Sequence, residues 1–227
     1  MKTPVRQPLA WSSVGIFGLI AGTRALKRLA GRVQPAGDEP TQRLPGDELI
    51  AHPLASLTHA ITIHAVPQAV WPWLAQMGAG RGGWYSYDGL DNGGEPSVAS
   101  VVAEFQELTP GMIFPALPGA TDGFTLASFD PNHFLVLGWN APDRSWRVTW
   151  AFVLDEAAPG VTRLLVRARG GPGYRFHGLP LLLTRITVRV VHFIMQRKQL
   201  LGVKRRAEST PATRRHDRLP SADKDAA

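Results

Sequence analysis

Apolar and polar side chains alternate over residues His59–Ala65, which read HAITIHA. Ile61 and Ile63 fall on one face of this segment, because side chains on a strand point alternately to opposite sides. From Pro67 to Gly78 the apolar side chains instead recur every three or four residues, with proline at the start and glycine at the end. This pattern predicts a strand followed by a short helix, with Pro72 in or near the first turn of that helix.

Further along the chain, short runs with strand-like composition are separated by turn-forming clusters such as LPGATDG, DPNH, NAPDRS and EAAPG. Short strands joined by short turns are typical of an antiparallel meander. The predicted strands are Phe105–Leu108, Gly123–Phe129, Phe134–Trp139, Arg147–Leu154 and Thr162–Ala168.

The longest helical pattern runs from Leu179 to about Arg206 and carries an apolar face and a polar stripe. The β-branched run in its middle, ITVRVV, is a poor helix former, so packing against the sheet has to stabilise this helix. The apolar face comprises Leu182, Ile186, Val190, Phe193 and Leu200, and the polar stripe comprises Arg185, Arg189, His192, Gln196 and Gln199.

Composition divides the chain into four parts. Residues 1–32 form a hydrophobic and basic N-terminal segment, and residues 33–43, rich in proline, glycine and charge, are predicted to be a linker. The folded domain is expected over residues 44–206. Residues 207–227 hold almost no large apolar side chain, so we expect a disordered basic tail.

The N-terminal segment includes 17 uncharged residues, from Gln7 to Thr23, with basic residues on both sides. It is short for a membrane span, which needs about 20 apolar residues. A short membrane anchor and an amphipathic segment on a membrane surface are both compatible with it. A signal peptide fits less well, because a dense basic cluster follows immediately. If the segment spans a membrane, the heavier basic flank keeps the domain in the cytoplasm.

Charge is distributed unevenly along the chain, whose formal net charge is +7. Residues 1–43 and 196–227 carry +5 each, whereas the body between them carries −3. A nucleic-acid-binding domain normally presents a basic stripe on its folded surface, so we expect no nucleic-acid partner. Basic ends flanking an acidic body fit an anionic membrane surface, or they are simply solvated tails.

The order of these elements resembles the helix-grip fold, and four stretches resemble the SRPBCC superfamily of START-like and polyketide cyclase/dehydrase-like proteins. The stretches are HAITIHAVPQAVWPWLAQMG (59–78), GGWYSYDGLDN (82–92), VTWAFVLDE (148–156) and HFIMQRKQLLG (192–202). The resemblance implies an α+β fold in which a curved antiparallel sheet wraps around a long C-terminal helix and encloses a hydrophobic cavity. Members of the superfamily bind lipids, sterols, aromatic polyketides or plant hormones, and only some of them are catalysts, so the fold alone does not choose an activity.

The glycine-rich stretch 82–94 concentrates aromatic and polar side chains where the backbone turns sharply. Aromatic rings with polar tips suit the mouth of a ligand pocket. Asp88 and Asn92 can equally be turn or helix-cap residues, and Trp84 and Tyr87 can be core residues. The candidates for ligand contact in this stretch are Trp84, Tyr85, Tyr87, Asp88 and Asn92.

Other candidates come from the later strands and the closing helix. Trp150 and Phe152 alternate with polar residues and are expected to face the cavity with Trp139. Arg189 and His192 lie on the polar stripe of the helix, which either faces the cavity or is solvated. A row of arginines, 163, 167 and 169, shares one face of its strand and lies either inside the cavity as an anion site or on the outer face in water.

No cofactor or metal site is expected. The chain has no cysteine, its histidines lack metal-binding spacing, and it contains no GxSxG elbow, P-loop or dinucleotide fingerprint. We therefore expect a module that binds a hydrophobic or amphipathic small molecule in the cytoplasm, with membrane association through the N-terminal segment. The alternatives are an enzyme of cyclase, dehydratase or hydrolase type, in which Asp88, Tyr87 or His192 moves protons, and a non-catalytic membrane adaptor.

Overall fold

The computed structural model describes residues 33–172 and 181–209, except for the side chains of residues 181–188. The chain divides into two compact units, Met1–Val33 and Gln34–Ala227, and the fold below is that of the second unit. The predictions made for residues 1–32 and for the tail from residue 210 onward lie outside the described residues.

Six strands and three α-helices make up the described part of the second unit. The strands are β1 (Ala55–Ile63), β2 (Ile113–Pro115), β3 (Gly123–Asp130), β4 (Phe134–Asn140), β5 (Trp146–Ala158) and β6 (Val161–Gly170). The helices are α1 (Pro67–Ala75), α2 (Asp88–Asp91) and α3 (Leu181–Ser209). Two short 3-10 turns, Asp47–Ile50 and Ala103–Phe105, accompany them.

The strands form one antiparallel sheet in the order β1-β6-β5-β4-β3-β2. Strands β2 to β6 form a meander, and β1 pairs along the free edge of β6 from Ala55 opposite Gly170 to Ile63 opposite Thr162. Register shifts in the pairs β3–β4, β4–β5 and β5–β6 bend the sheet. The predicted fold class, α+β with a curved antiparallel sheet and a long C-terminal helix in a helix-grip arrangement, is confirmed.

The inner, concave face of the sheet packs against α1 and α3. Leu137, Phe152 and Leu164 lie on this face with no exposed surface. Ile61 and Ile63 of β1 are buried there too, as their alternation with polar residues predicts. Because the sheet face and the two helices share this core, side chains at its centre are positioned from both sides.

The outer face of the sheet is covered by residues 34–50, which include most of the predicted linker. Leu44 packs with Ala60 and Leu165 in a small apolar cluster. The guanidinium of Arg163 donates hydrogen bonds to both carboxylate oxygens of Glu39, at 2.7 and 2.8 Å. These bonds hold the pKa of Glu39 below its usual value. Residues 34 to 43 are therefore part of the folded unit rather than a linker that precedes it, which also moves the domain start back from residue 44.

Arg167 is the most deeply buried member of the arginine row, with a side chain 2% exposed. It donates to the Asp47 carboxylate at 2.7 Å and to three backbone carbonyls of the covering segment, at Glu39, Pro40 and Gln42. Arg169 reaches the other oxygen of Asp47 at 2.9 Å. The row thus lies neither in the cavity nor in water, because the N-terminal part of the domain folds over it.

Two local predictions are wrong. Residues 105–108 form no strand, because the backbone there is tied to α1: Arg81 donates to the carbonyls of Ala75 and Phe105, and the Gln106 amide lies 3.4 Å from the Pro72 carbonyl. The meander begins instead at β2. Pro72 is the sixth residue of α1, beyond its first turn.

None of the helices described by the structure is long and apolar enough to cross a membrane. The longest of them, α3, carries charged side chains such as Arg189, Lys198 and Arg206 along its length. The N-terminal segment, on which the predicted membrane association depends, is not among the described residues.

Candidate functional site

Five aromatic rings form a continuous wall on the concave face of the sheet. Trp84 and Trp150 stack with ring centroids 5.5 Å apart and planes 23° apart. Phe124 stands edge-on to Trp84 at 5.7 Å and to Trp139 at 5.8 Å, and Phe152 lies 4.9 Å from Trp150. These separations are typical of favourable aromatic contacts. We call this set, Trp84, Phe124, Trp139, Trp150 and Phe152, the aromatic wall.

Strand alternation places most of the aromatic wall. On β5, Trp150 and Phe152 point to the concave face, while Thr149 and Ala151 between them point to the outer face. Trp146 lies on the outer face, where its ring covers Gly138, because a register shift between Trp146 and Val148 reverses the alternation.

Trp84 reaches the wall from the glycine-rich loop. The next residue, Tyr85, has a φ of 58°, a left-handed conformation that costs an aromatic residue about 1–3 kcal/mol. This turn sends the Tyr85 ring away from the wall, edge-on to Trp73 and beneath the guanidinium of Arg206, 4.6 Å from its ring centroid. Burial raises the pKa of the Tyr85 phenol, which therefore stays protonated. Tyr85 anchors the loop and does not line the wall.

The predicted polar stripe of α3 is divided between the interior and the surface. Gln196 and Gln199 are 2% exposed, and Gln196 accepts a hydrogen bond from the Trp150 indole at 2.9 Å. The Gln196 amide in turn donates to Gln199 at 2.8 Å. On the opposite side, Val190 and Ile194 are 54% and 46% exposed. The C-terminal half of this stripe therefore faces the aromatic wall, whereas Val190 of the predicted apolar face points outward.

Two histidines meet at the end of the aromatic wall, one from β1 and one from α3. The ring centroids of His59 and His192 lie 5.4 Å apart, and His59 also contacts Phe193 and His192 also contacts Trp150. Nδ1 of His59 and Nε2 of His192 are buried and have no hydrogen-bond partner among the described residues. Burial lowers the pKa of His59 to about 4, and burial together with His59 lowers the pKa of His192 to about 3. Both imidazoles are therefore neutral at physiological pH.

Tyr87 and Asp88 lie in the outer part of the loop, whereas Asn92 is buried at its end. The Tyr87 side chain is exposed, with the Lys198 ammonium 5.6 Å from its ring centroid. Asp88 accepts a hydrogen bond from the Ser97 hydroxyl at 2.5 Å, and the Asn92 amide donates to the Glu95 carbonyl at 2.6 Å. These are contacts of a turn around α2. None of the described contacts joins Tyr87 or Asp88 to His192, so the three proton-transfer candidates form no common site.

The remaining candidate, Arg189, is exposed on α3 and contributes no contact to the aromatic wall among the described residues. Within residues 33–172 and 181–209 no three His, Asp or Glu side chains converge in a way that could hold a metal ion. The chemistry on the concave face is therefore that of neutral imidazoles, amides and aromatic rings, which donate and accept hydrogen bonds beside an apolar surface.

Sequence reasoning missed two members of this site, His59 and Phe124. The signal for His59 was present, because it alternates with Ile61 and Ile63 and so shares their buried face. Phe124 lies in a correctly predicted strand, β3. Most residues of β3 are only partly buried, so the two faces of this strand are not clearly distinguished as inner and outer. Its position depends on how far the sheet curves, which strand alternation does not specify.

No protein-family model and no curated protein matches the chain, but solved structures do. An HSP90 activator from Plasmodium falciparum is 13% identical over 65% of this chain and 96% of its own, with a TM-score of 0.38. A conserved protein of unknown function from Enterococcus faecalis is 16% identical over 86% of this chain and 92% of its own, with a TM-score of 0.42. The Aha1 dimer from Colwellia psychrerythraea is 15% identical over 66% of this chain and 98% of its own, with a TM-score of 0.31. These neighbours give this chain neither a family nor an activity.

Proposed function

We propose that the protein binds a hydrophobic or amphipathic small molecule between the aromatic wall and the inward face of α3. The observation that carries the proposal is the pairing of five aromatic rings with a polar row on the facing helix, His192, Gln196 and Gln199. Ligand sites in proteins have this composition, a largely apolar lining with a few directed polar groups.

The inward face of α3 supports the proposal, because it carries two buried amides beside buried apolar side chains such as Leu200 and Val203. A helix that packs on a sheet normally turns apolar side chains inward and polar ones outward. Here the amides of Gln196 and Gln199 are buried, while Val190 and Ile194 are exposed. Burying an amide lowers stability unless it is hydrogen-bonded. A binding role explains why polar groups are kept on the inward face, since they orient a ligand.

Binding is favoured over catalysis by the positions of the candidate residues. Of the three groups that could move protons, Tyr87 and Asp88 have their described side-chain contacts in the outer part of the loop and with α3. His192 alone borders the aromatic wall. A cyclase, dehydratase or hydrolase needs a general acid or base close to the bound substrate and normally a second group to complete the proton transfer.

The test is to purify the full-length protein without detergent, extract it with organic solvent and analyse the extract by mass spectrometry against a mock purification. Uptake of 1-aminoanthracene, a fluorescent hydrophobic dye, is measured in parallel. We expect a co-purifying compound or saturable dye uptake in the wild type, and loss of both in Trp150→Leu. Trp146→Leu is the matched control, because Trp146 lies on the outer face of the same strand. An empty extract together with absent dye uptake in the wild type contradicts the proposal.

A further inference from the structure

The packed rings of the His59–His192 pair leave polar atoms without hydrogen-bond partners inside the domain. The two rings come from opposite sides of the core, β1 and α3, and lie 5.4 Å apart with planes tilted by 54°. Each ring has a buried nitrogen without a hydrogen-bond partner in the described part of the chain, Nδ1 of His59 and Nε2 of His192. The amide one turn further along α3, that of Gln196, is already engaged, since it accepts from Trp150 and donates to Gln199.

Unpaired buried nitrogens destabilise a protein, because each loses its hydrogen bonds to water without gaining new ones. Most buried polar atoms in native proteins are paired, so two unpaired atoms on adjacent rings call for a specific explanation. No described carboxylate forms an ion pair with either histidine, which argues against a structural ion-pair role. A bound molecule that satisfies both nitrogens accounts for their position next to the aromatic wall.

We propose that the ligand carries a neutral hydroxyl group, as in a phenol or an alcohol, that is held between His59 and His192 while its apolar body lies on the aromatic wall. This inference rests on the proposed binding function and adds the chemical class of the ligand to it. A neutral imidazole has one N–H donor and one nitrogen acceptor. A hydroxyl can accept a hydrogen bond from one ring and donate one to the other, so it can satisfy both histidines in their neutral state.

Other ligand groups fit the pair less well. A carboxylate only accepts hydrogen bonds and is an anion, which is unfavourable on a buried apolar face without a paired cation. An ammonium group only donates and is equally costly to bury. Arg189 is the only cationic side chain within one turn of His192 among the described residues of α3, and it is exposed, so this part of the helix offers no described charge that would compensate a buried anion.

The test uses three probes of the same shape, 2-naphthol, naphthalene and 2-naphthoate, with binding to the full-length protein followed by tryptophan fluorescence at neutral pH. We expect 2-naphthol to bind about tenfold more tightly than naphthalene, the gain typical of two satisfied hydrogen bonds. We expect 2-naphthoate to bind more weakly than 2-naphthol.

The variants His59→Phe and His192→Phe, singly and together, remove the hydroxyl partners and keep an aromatic ring at each position. In the double variant 2-naphthol and naphthalene should bind equally. His133→Ala is the matched control, because this histidine is exposed in the turn between β3 and β4 and should leave the tenfold ratio unchanged. If phenylalanine prevents folding, the smaller His59→Leu and His192→Leu substitutions serve the same purpose.

The outcomes separate the two proposals. If none of the probes binds, the proposed binding function fails. If 2-naphthol and naphthalene bind equally to the wild type, or if their ratio survives in the double variant, the hydroxyl inference is overturned while the binding function stands. If 2-naphthoate binds most tightly, the histidines hold an anion and the inference is likewise wrong.

Discussion

Two buried histidines, His59 and His192, make the stability of this domain depend on pH. The pKa values of His59 and His192, about 4 and about 3, lie below the value of 6.5 that the unfolded chain has. Between pH 6.5 and about 4 the unfolded chain therefore binds more protons than the folded one, and stability falls as the pH is lowered through this range. We expect the free energy of unfolding to drop by about 1–3 kcal/mol between pH 6.5 and 5, as measured by urea denaturation.

The double variant His59→Phe with His192→Phe isolates the contribution of the two histidines. In this variant the fall in the free energy of unfolding between pH 6.5 and 5 should disappear. His133→Ala should keep it, because His133 is exposed. A wild-type unfolding free energy that is flat over this range would show that both imidazoles are protonated as easily in the folded state as in the unfolded state.

Arg167 shows a different residue-level effect, that of a buried charge with several partners. Its side chain bonds Asp47, Thr58 and three carbonyls of the covering segment. Arg167→Met leaves the Asp47 carboxylate with one fewer cation in a buried position, so we expect a loss of about 3–5 kcal/mol in the free energy of unfolding by urea. The double variant Arg167→Met with Asp47→Asn should recover part of this loss, because it removes the buried carboxylate while Arg169 keeps its hydrogen bonds to the carbonyls of Asp47 and Ile50.

The exposed pair Arg147–Asp143 provides the contrast to this buried one. Asp143 is exposed and lies 3.5 Å from the Arg147 guanidinium, so Asp143→Asn should leave the urea midpoint unchanged. An Arg167→Met variant that is as stable as Asp143→Asn would mean that the covering segment is not held by its ion pairs.

At the scale of elements, the predictable features were those encoded by local periodicity. Strands β1 and β3 to β6 and helices α1 and α3 follow from alternation and from three-to-four spacing, with ends displaced by a few residues. The strand predicted at residues 105–108 is wrong, because contacts from Arg81 and Gln106 override the strand propensity of this stretch. The orientation of α3 was not predictable from the residue pattern of the helix alone. A polar stripe faces water in most helices. It faces the interior only when the sheet opposite offers hydrogen-bond partners such as the Trp150 indole.

The position of α3 against the loop depends on one close approach. A Cβ atom at Gly202 would lie 2.5 Å from the Tyr85 carbonyl oxygen, which belongs to the backbone and cannot rotate away. Gly202→Ala should therefore push α3 away from the loop and lower the free energy of unfolding by about 1–3 kcal/mol. Because Trp84 precedes Tyr85, dye uptake at the aromatic wall should weaken as well.

Gly89 is the matched control for this substitution, because a Cβ atom there meets no atom within 4 Å. Gly89→Ala should leave the thermal midpoint and dye uptake unchanged. Equal behaviour of the two alanine variants would indicate that α3 and the loop can separate at no cost.

At the scale of the whole domain, residues 34–50 complete the structure by closing the outer face of the sheet. The proline, glycine and charge in residues 33–43 resemble a linker, because composition does not reveal that their carbonyls and Glu39 have buried arginine partners elsewhere in the chain. We expect a chain that begins at residue 44 to unfold at a markedly lower temperature than one that begins at residue 34. Equal thermal midpoints for the two would show that the segment contributes nothing to stability.

The stacked pair Trp84–Trp150 makes the spacing of the interior accessible to circular dichroism. The two indoles have planes 23° apart and centroids 5.5 Å apart, close enough for their electronic transitions to couple, so we expect a joint contribution to the circular dichroism of the protein. One member belongs to the glycine-rich loop and the other to β5, so the coupled signal exists only while loop and sheet keep their spacing. A ligand that moves the loop away from the sheet should abolish the coupling, whereas a ligand that binds beside the rings should preserve it. The spectrum therefore distinguishes these two binding modes without an added label.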